Sequence, residues 1–175
     1  MSARVSAFQS RLFFDFMVKI RIISVGTNKE SYFREGTDEY VKRLTRDVSF
    51  EFISVPETKL PSSPSQGEIE AALEKERFLI EKNILKGSFV IAMCIEGKML
   101  SSAEFAELIG SKLNTHSSFT FIIGGSFGLS ENIKSCSDMK LSMSKMTFPH
   151  SLAKLILTEQ IYRAFSINNG NRYNK

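Results

Sequence analysis

The chain has 175 residues, 42% of them hydrophobic and 24% charged, with a formal net charge of +4. Those proportions exclude a disordered chain, and this length is enough to bury one sizeable core in a single domain. The longest apolar runs, such as FVIAMCI at 89–95, are strand-sized and far short of a bilayer crossing, so no membrane partner is expected. A positive charge this mild is compatible with a nucleic-acid partner without demanding one.

Residues 1–16, MSARVSAFQSRLFFDF, carry Arg4 and Arg11 and no acid before Asp15. They loosely resemble an organelle transit segment but lack an amphipathic repeat, and the reading is a disordered or processed extension ahead of one domain at 17–175. Cys94 and Cys136 stand singly, without CxxC spacing, which points to a reducing compartment and a cytoplasmic protein; an organelle is the alternative if residues 1–16 are a transit segment. His116 and His150 are the only histidines and neither has clustered carboxylates or thiols, so no metal is expected.

Strand-like and helix-like segments then alternate along the chain. The β-branched run VKIRIISV at 18–25 ends at Gly26, and 31–44 has helical spacing of Tyr32, Phe33, Tyr40, Val41 and Leu44. A second strand is predicted at 50–55, followed by the Pro/Ser-rich loop LPSSPSQG at 60–67. A charged helix follows at 68–86 with Ile69, Leu73, Leu79 and Ile80 inward, then a strand at 88–95 that ends at Glu96-Gly97-Lys98. Ser101 with Glu104 reads as a capping box for the next helix. A strand at 119–123, a short helix near 130–136, a short strand at 140–143 and a last helix from Ser151 to about Ser166 complete the pattern. Alternating strands and helices without repeats predict an α/β fold with a parallel sheet covered on both faces.

FTFIIGGSFG at 119–128 is an apolar strand ending in a Gly pair, which leaves bare backbone N–H and C=O groups at the carboxyl edge of a sheet, where α/β proteins place ligands. LSMSKMTFPH at 141–150 brings a second backbone loop to the same neighbourhood, ahead of the last helix. The pair describes a small-molecule pocket built mainly of main chain. No Lys-Ser/Thr follows GGSFG, as a phosphate loop requires, and Gly26 lacks the other glycines of a dinucleotide motif, which disfavours nucleoside triphosphates and NAD.

IRIISVGTNK, IEGKMLSS, FIIGGSFGLS, LSMSKMTFPHSLAKLILTEQIYRAFSI and the terminal NRYNK, in that order from Met17 to Lys175, resemble the RlmH family of SPOUT-class methyltransferases, which act on bacterial large-subunit rRNA. The resemblance implies a parallel sheet flanked by helices with a C-terminal trefoil knot, a homodimer, and S-adenosyl-L-methionine as methyl donor. It also implies an acceptor, N3 of a pseudouridine in 23S rRNA of the assembled ribosome. The cofactor would be gripped at Met93, Gly124, Met143, Ser144, Lys145, Met146, Thr147 and Phe148, with Gly125 and Gly128 permitting close approach.

Methyl transfer to an imide N3–H requires loss of a proton, so a base, or a cation that stabilises the ring anion, is expected. Candidates are His150, Glu159, Arg163 and the tail residues Arg172, Tyr173 and Lys175. For Glu159 and Arg163 an i,i+4 surface pair is the open alternative, for His150 a helix cap, and for the tail a frayed terminus. The family closes with Tyr-His and a basic residue, whereas this chain has Tyr173-Asn174-Lys175; Asn174 cannot act as a base at neutral pH. Lys98, Lys145, Lys154, Arg163, Arg172 and Lys175 would provide the RNA footprint, since no zinc knuckle, RRM or KH pattern is present. A SPOUT enzyme acting on another RNA such as tRNA, and a non-catalytic ribosome-binding homologue, are the alternatives.

Overall fold

The computed structural model describes residues 17–27, 30–44 and 48–171. The extension at 1–16 and the tail at 172–175, with the readings attached to them, lie outside the described residues. In chain order the elements are β1 (Val18–Val25), α1 (Ser31–Leu44), β2 (Val48–Val55), α2 (Gln66–Glu81), β3 (Phe89–Met99), α3 (Ser102–Lys112), β4 (Ser118–Ile123), α4 (Glu131–Cys136), β5 (Met139–Ser142) and α5 (His150–Asn168).

The five strands form one sheet in the order β2-β1-β4-β3-β5, and every adjacent pair is parallel. Parallel neighbours require crossover connections, which the helices supply, and helices on both faces explain why β4 is buried at all six positions. On one face Ile20, Ile22, Ile91, Phe119 and Phe121 pack with Phe105 and Ile109 of α3 and Leu157 and Ile161 of α5. On the other, Ile23, Val25, Ala92 and Ile122 meet Ile80 of α2 and Ile133 of α4. The alternation along β4 puts Thr120 on that second face, where its hydroxyl is satisfied by Ser88 Oγ at 2.7 Å and by the Leu85 N–H at 3.3 Å. Helix α5 packs against both α1 and α3.

Several boundaries differ from the sequence expectation, each for a local reason. Helix α2 begins two residues early because Ser65 and Glu68 form a reciprocal capping box. It ends at Glu81, well before residue 86; Asn83 Nδ2 donates to Leu79 O and the chain turns at Gly87 with φ +75°. Its buried residues are Ala72, Glu76 and Ile80, whereas Leu79 is exposed, so the inward placement of Leu79 is corrected. Strand β3 continues past residue 95 to Met99 because it pairs twice with β5: Leu141 is the partner of both Met93 and Lys98, and residues 94–97 bulge out between. Gly97 allows this, since a Cβ there would stand 2.6 Å from the Leu141 carbonyl carbon.

Phe121 is fully buried at the sheet centre, so Phe121→Ala is expected to cost about 3–5 kcal/mol through lost burial and a residual cavity. Urea denaturation with an unchanged m-value checks this.

Candidate functional site

Because all strands run the same way, their carboxyl ends deliver several loops to one edge. A cleft of about 860 Å³ opens there, lined from β3 by Met93, Cys94, Ile95 and Glu96, from the β4 end by residues 123–129, from the β5 end by residues 141–144 and 146–149, and by His150, Ala153 and Lys134.

The wall after β4 is backbone. Gly128 N–H donates to Gly125 O at 3.0 Å, closing a four-residue turn. A Cβ on Gly124 would lie 2.3 Å from the Gly128 carbonyl oxygen, and Gly128 holds φ at +81°, so side chains are excluded by contact at one position and by backbone conformation at the other. The opposing loop is shaped by its own serines: Ser142 Oγ donates to Ser144 O at 2.9 Å and Ser144 Oγ accepts from Met146 N–H at 3.0 Å. Met146 is thereby left 68% exposed.

His150 is the first residue of α5. The helix N-cap is Pro149, with no side-chain cap bond, so His150 is not a capping residue. Its ring packs instead against Gly26, where a Cβ would meet Cε1 at 3.0 Å, and Nε2 stands 3.4 Å from Thr27 O. Glu57, which sequence reasoning missed, accepts from Ser126 N–H at 2.7 Å. Hydrogen bonding to Ser126 holds its carboxyl below the ordinary carboxylate value, assisted by the charge of His150. Buried Glu76 in turn accepts from Thr58 N–H at 2.7 Å, anchoring the loop that carries Glu57; desolvation raises the Glu76 carboxyl above its ordinary value.

On the far wall, Lys134 Nζ pairs with Glu96 at 2.5 Å and with Glu131 at 2.9 Å, pinning the β3 bulge to α4. The bond from Lys134 holds the Glu96 carboxyl low. Burial, reinforced by Glu96, pushes the Cys94 thiol up, so it stays protonated at neutral pH.

The structure therefore brings together Met93, Gly124, Gly125, Gly128, Met143, Ser144, Met146, Thr147, Phe148 and His150 on one cleft; Lys145 belongs to the same loop but not to the lining. Glu159 and Arg163 lie farther along α5, bonded to each other at 2.7 and 3.0 Å, with Gln160 also donating to Glu159. Lys154 is only 8% exposed, with its ammonium 5.6 Å from the Phe52 ring centroid, and is corrected as an RNA-contact residue. Tyr173, Asn174 and Lys175 lie outside the described residues. Among the described residues no group of three His, Cys, Asp or Glu side chains is arranged to hold a metal ion, and no helix is long and apolar enough to cross a membrane.

The family model described as "Predicted SPOUT methyltransferase" matches residues 18–174. The chain is 48% identical over 159 residues to the ribosomal RNA large subunit methyltransferase H of Alkaliphilus oremlandii, an alignment covering 90% of this chain and 100% of the relative. It is 46% identical, with the same coverages, to the protein of that name from Streptococcus suis. Among solved structures, a probable methyltransferase from Bordetella pertussis shares the fold at a TM-score of 0.54 and 12% identity, covering 90% of this chain and 98% of that one. A tRNA (m1G37) methyltransferase from Aquifex aeolicus does so at 0.51 and 15%, covering 84% and 69%.

Gly124→Ala is expected to destabilise the protein by about 1–3 kcal/mol, because backbone cannot retreat as a flexible side chain would. Gly67→Ala, with open space around its Cβ on α2, is expected to be neutral or slightly stabilising; equal effects in thermal denaturation would contradict the contact. A second expectation concerns pH. The native state holds the Glu76 proton longer than the unfolded chain does. The Glu76 contribution to stability therefore falls as pH rises from the ordinary value of 4.5 through the raised native value. Glu76→Gln should remove that contribution, so that the variant gains stability relative to the parent as pH rises through the window, as measured by urea denaturation.

Proposed function

We propose that this chain, a member of the SPOUT methyltransferase family, transfers a methyl group from S-adenosyl-L-methionine to N3 of a pseudouridine in large-subunit rRNA. The observation that carries the reading is the meeting of the glycine turn and the loop after β5 on one main-chain cleft, within a family match spanning residues 18–174. The identity to relatives named for large-subunit rRNA directs the substrate class to rRNA.

The donor set fits the cofactor. A wall of main chain at 124–128, facing the loop after β5, suits an adenine with an exchangeable amino group, and the apolar side chains of Met93, Ile95 and Leu141 suit its faces. The uncapped first turn of α5 suits a carboxylate. When bound, the cofactor supplies an electrophilic methyl group. The chain's own part is to orient that group, exclude water and manage the N3 proton. Of the ionisable side chains on the lining, Glu96 and Lys134 are paired and Cys94 is held as a thiol. His150 is the remaining ionisable side chain on the lining and the candidate to accept the N3 proton.

The acceptor is the assembled ribosome, because a small chain without a separate RNA-binding module needs a large preformed surface for its specificity. The working unit is a cytoplasmic homodimer: Ile95, Phe127 and Met146, exposed on the cleft lining, suit burial against a second copy. The family's trefoil knot is part of the same reading. Asn174, where the family has His, favours a second reading in which the chain binds the cofactor and ribosome but turns over slowly.

Titration calorimetry should detect S-adenosyl-L-methionine binding at micromolar to millimolar concentration; no binding at millimolar cofactor defeats the enzyme reading. Mass spectrometry of rRNA nucleosides from cells lacking the gene should show loss of methylpseudouridine, and an unchanged level excludes that acceptor. Asn174→His is expected to raise single-turnover transfer to ribosomes at least about tenfold, as a general acid–base contribution would, with cofactor affinity unchanged.

A further inference from the structure

We infer that Glu57 is a positioning residue of the cofactor cleft, its carboxylate clamping the 125–128 turn through the Ser126 N–H while buried Glu76 holds the loop that aims it. The inference rests on the cofactor reading above and deepens it.

The 125–128 turn and the strand end before it contain Gly124, Gly125 and Gly128, the last with positive φ. Such a sequence has unusual backbone freedom, and within the turn it is tied by the Gly125–Gly128 bridge, in which Gly128 N–H donates to Gly125 O. A ligand that reads this backbone would have to pay the entropy of ordering it, unless the turn is already held. Glu57 holds it from outside. Its Oε1 accepts from Ser126 N–H at 2.7 Å and lies 2.7 Å from where a Cβ on Gly125 would stand, so the carboxylate is seated directly on the turn.

An exposed carboxylate has no reason of its own to stay there; the backbone beneath it does. Thr58 N–H donates to Glu76 Oε1 at 2.7 Å and Thr58 Oγ1 to Ala72 O at 3.4 Å. Ala72 and Glu76 lie on the buried face of α2. The chain of contacts therefore runs from the helix-covered core to a turn at the ligand edge, across 69 residues of sequence separation.

The test compares Glu57→Ala with Glu57→Gln, whose amide oxygen still accepts from Ser126, titrating S-adenosyl-L-methionine and S-adenosylhomocysteine, which lacks the sulfonium charge, into each folded protein. Glu57→Ala is expected to weaken both ligands about tenfold, as loss of one hydrogen bond would, and Glu57→Gln to restore affinity to within about twofold. Parent-like binding by Glu57→Ala overturns the clamp. So does weakening by both variants of the sulfonium ligand alone, which would assign Glu57 to charge rather than position. Amide exchange at Ser126 in the ligand-free protein separates this inference from the cofactor reading. Faster exchange in Glu57→Ala, with slow exchange kept in Glu57→Gln, supports the clamp; unchanged exchange overturns it. Absence of cofactor binding by the parent chain defeats the cofactor reading alone.

Discussion

The placement of β4 between β1 and β3 is the constraint on which the ligand edge depends. Ile123 is paired on one side with Ser24 and on the other with Met93, and every residue of the strand is buried. A strand hydrogen-bonded on both sides and packed on both faces cannot slide, because a shift of one residue would send Phe119 and Phe121 to the wrong face. Gly124 therefore enters the turn at a position set by the core rather than by the loop. The Gly26 end of β1, beside which His150 packs, is set by the same register.

From that fixed end, the cleft is built outward by contacts that exclude atoms as much as by contacts that add them. The missing side chain at Gly124 lets the Gly128 carbonyl come close, and the missing one at Gly97 lets the β3 bulge lie on Leu141. Both close approaches bring main chain to the ligand edge. The Lys134 ion pairs with Glu96 and Glu131 then prevent the bulge from relaxing. Only the lysine of these pairs is sheltered, its carboxylates being half or more exposed, so their gain is close to that of ordinary surface pairs.

What could be read from the sequence follows the range of the interaction. The alternation of strands and helices is a local signal, and each of the ten elements has its counterpart in the expected pattern. The Gly pair of 124–125 and the 141–150 segment are also local, and both line the cleft. The extension of β3 was hidden because Gly97 ordinarily ends a strand, and only its second pairing with Leu141 shows that the strand resumes. Leu79 misled because an apolar residue on a charged helix reads as inward, whereas the buried stripe takes Glu76 instead. Nothing near Glu57 announces a role, since its partner at Ser126 is reached only after the chain has formed β3 and β4. Lys154 looked like a surface cation, but it is buried on α5, with its ammonium 5.6 Å from the Phe52 ring centroid.

The same distinction separates binding from proton chemistry. A main-chain wall requires of its sequence chiefly glycines and the register of β4, so much of the outer loop can change without loss of the groups it presents. A proton acceptor needs one particular side chain at one place. Along α5, Glu159 and Arg163 satisfy each other on the half-buried surface, and Gln160 links Glu159 to Ser102 of α3. Those contacts give the pair a packing role between helices and commit its charges away from the lining. His150, by contrast, is held by shape against Gly26 and by one long contact to Thr27, which leaves its ring able to change partners.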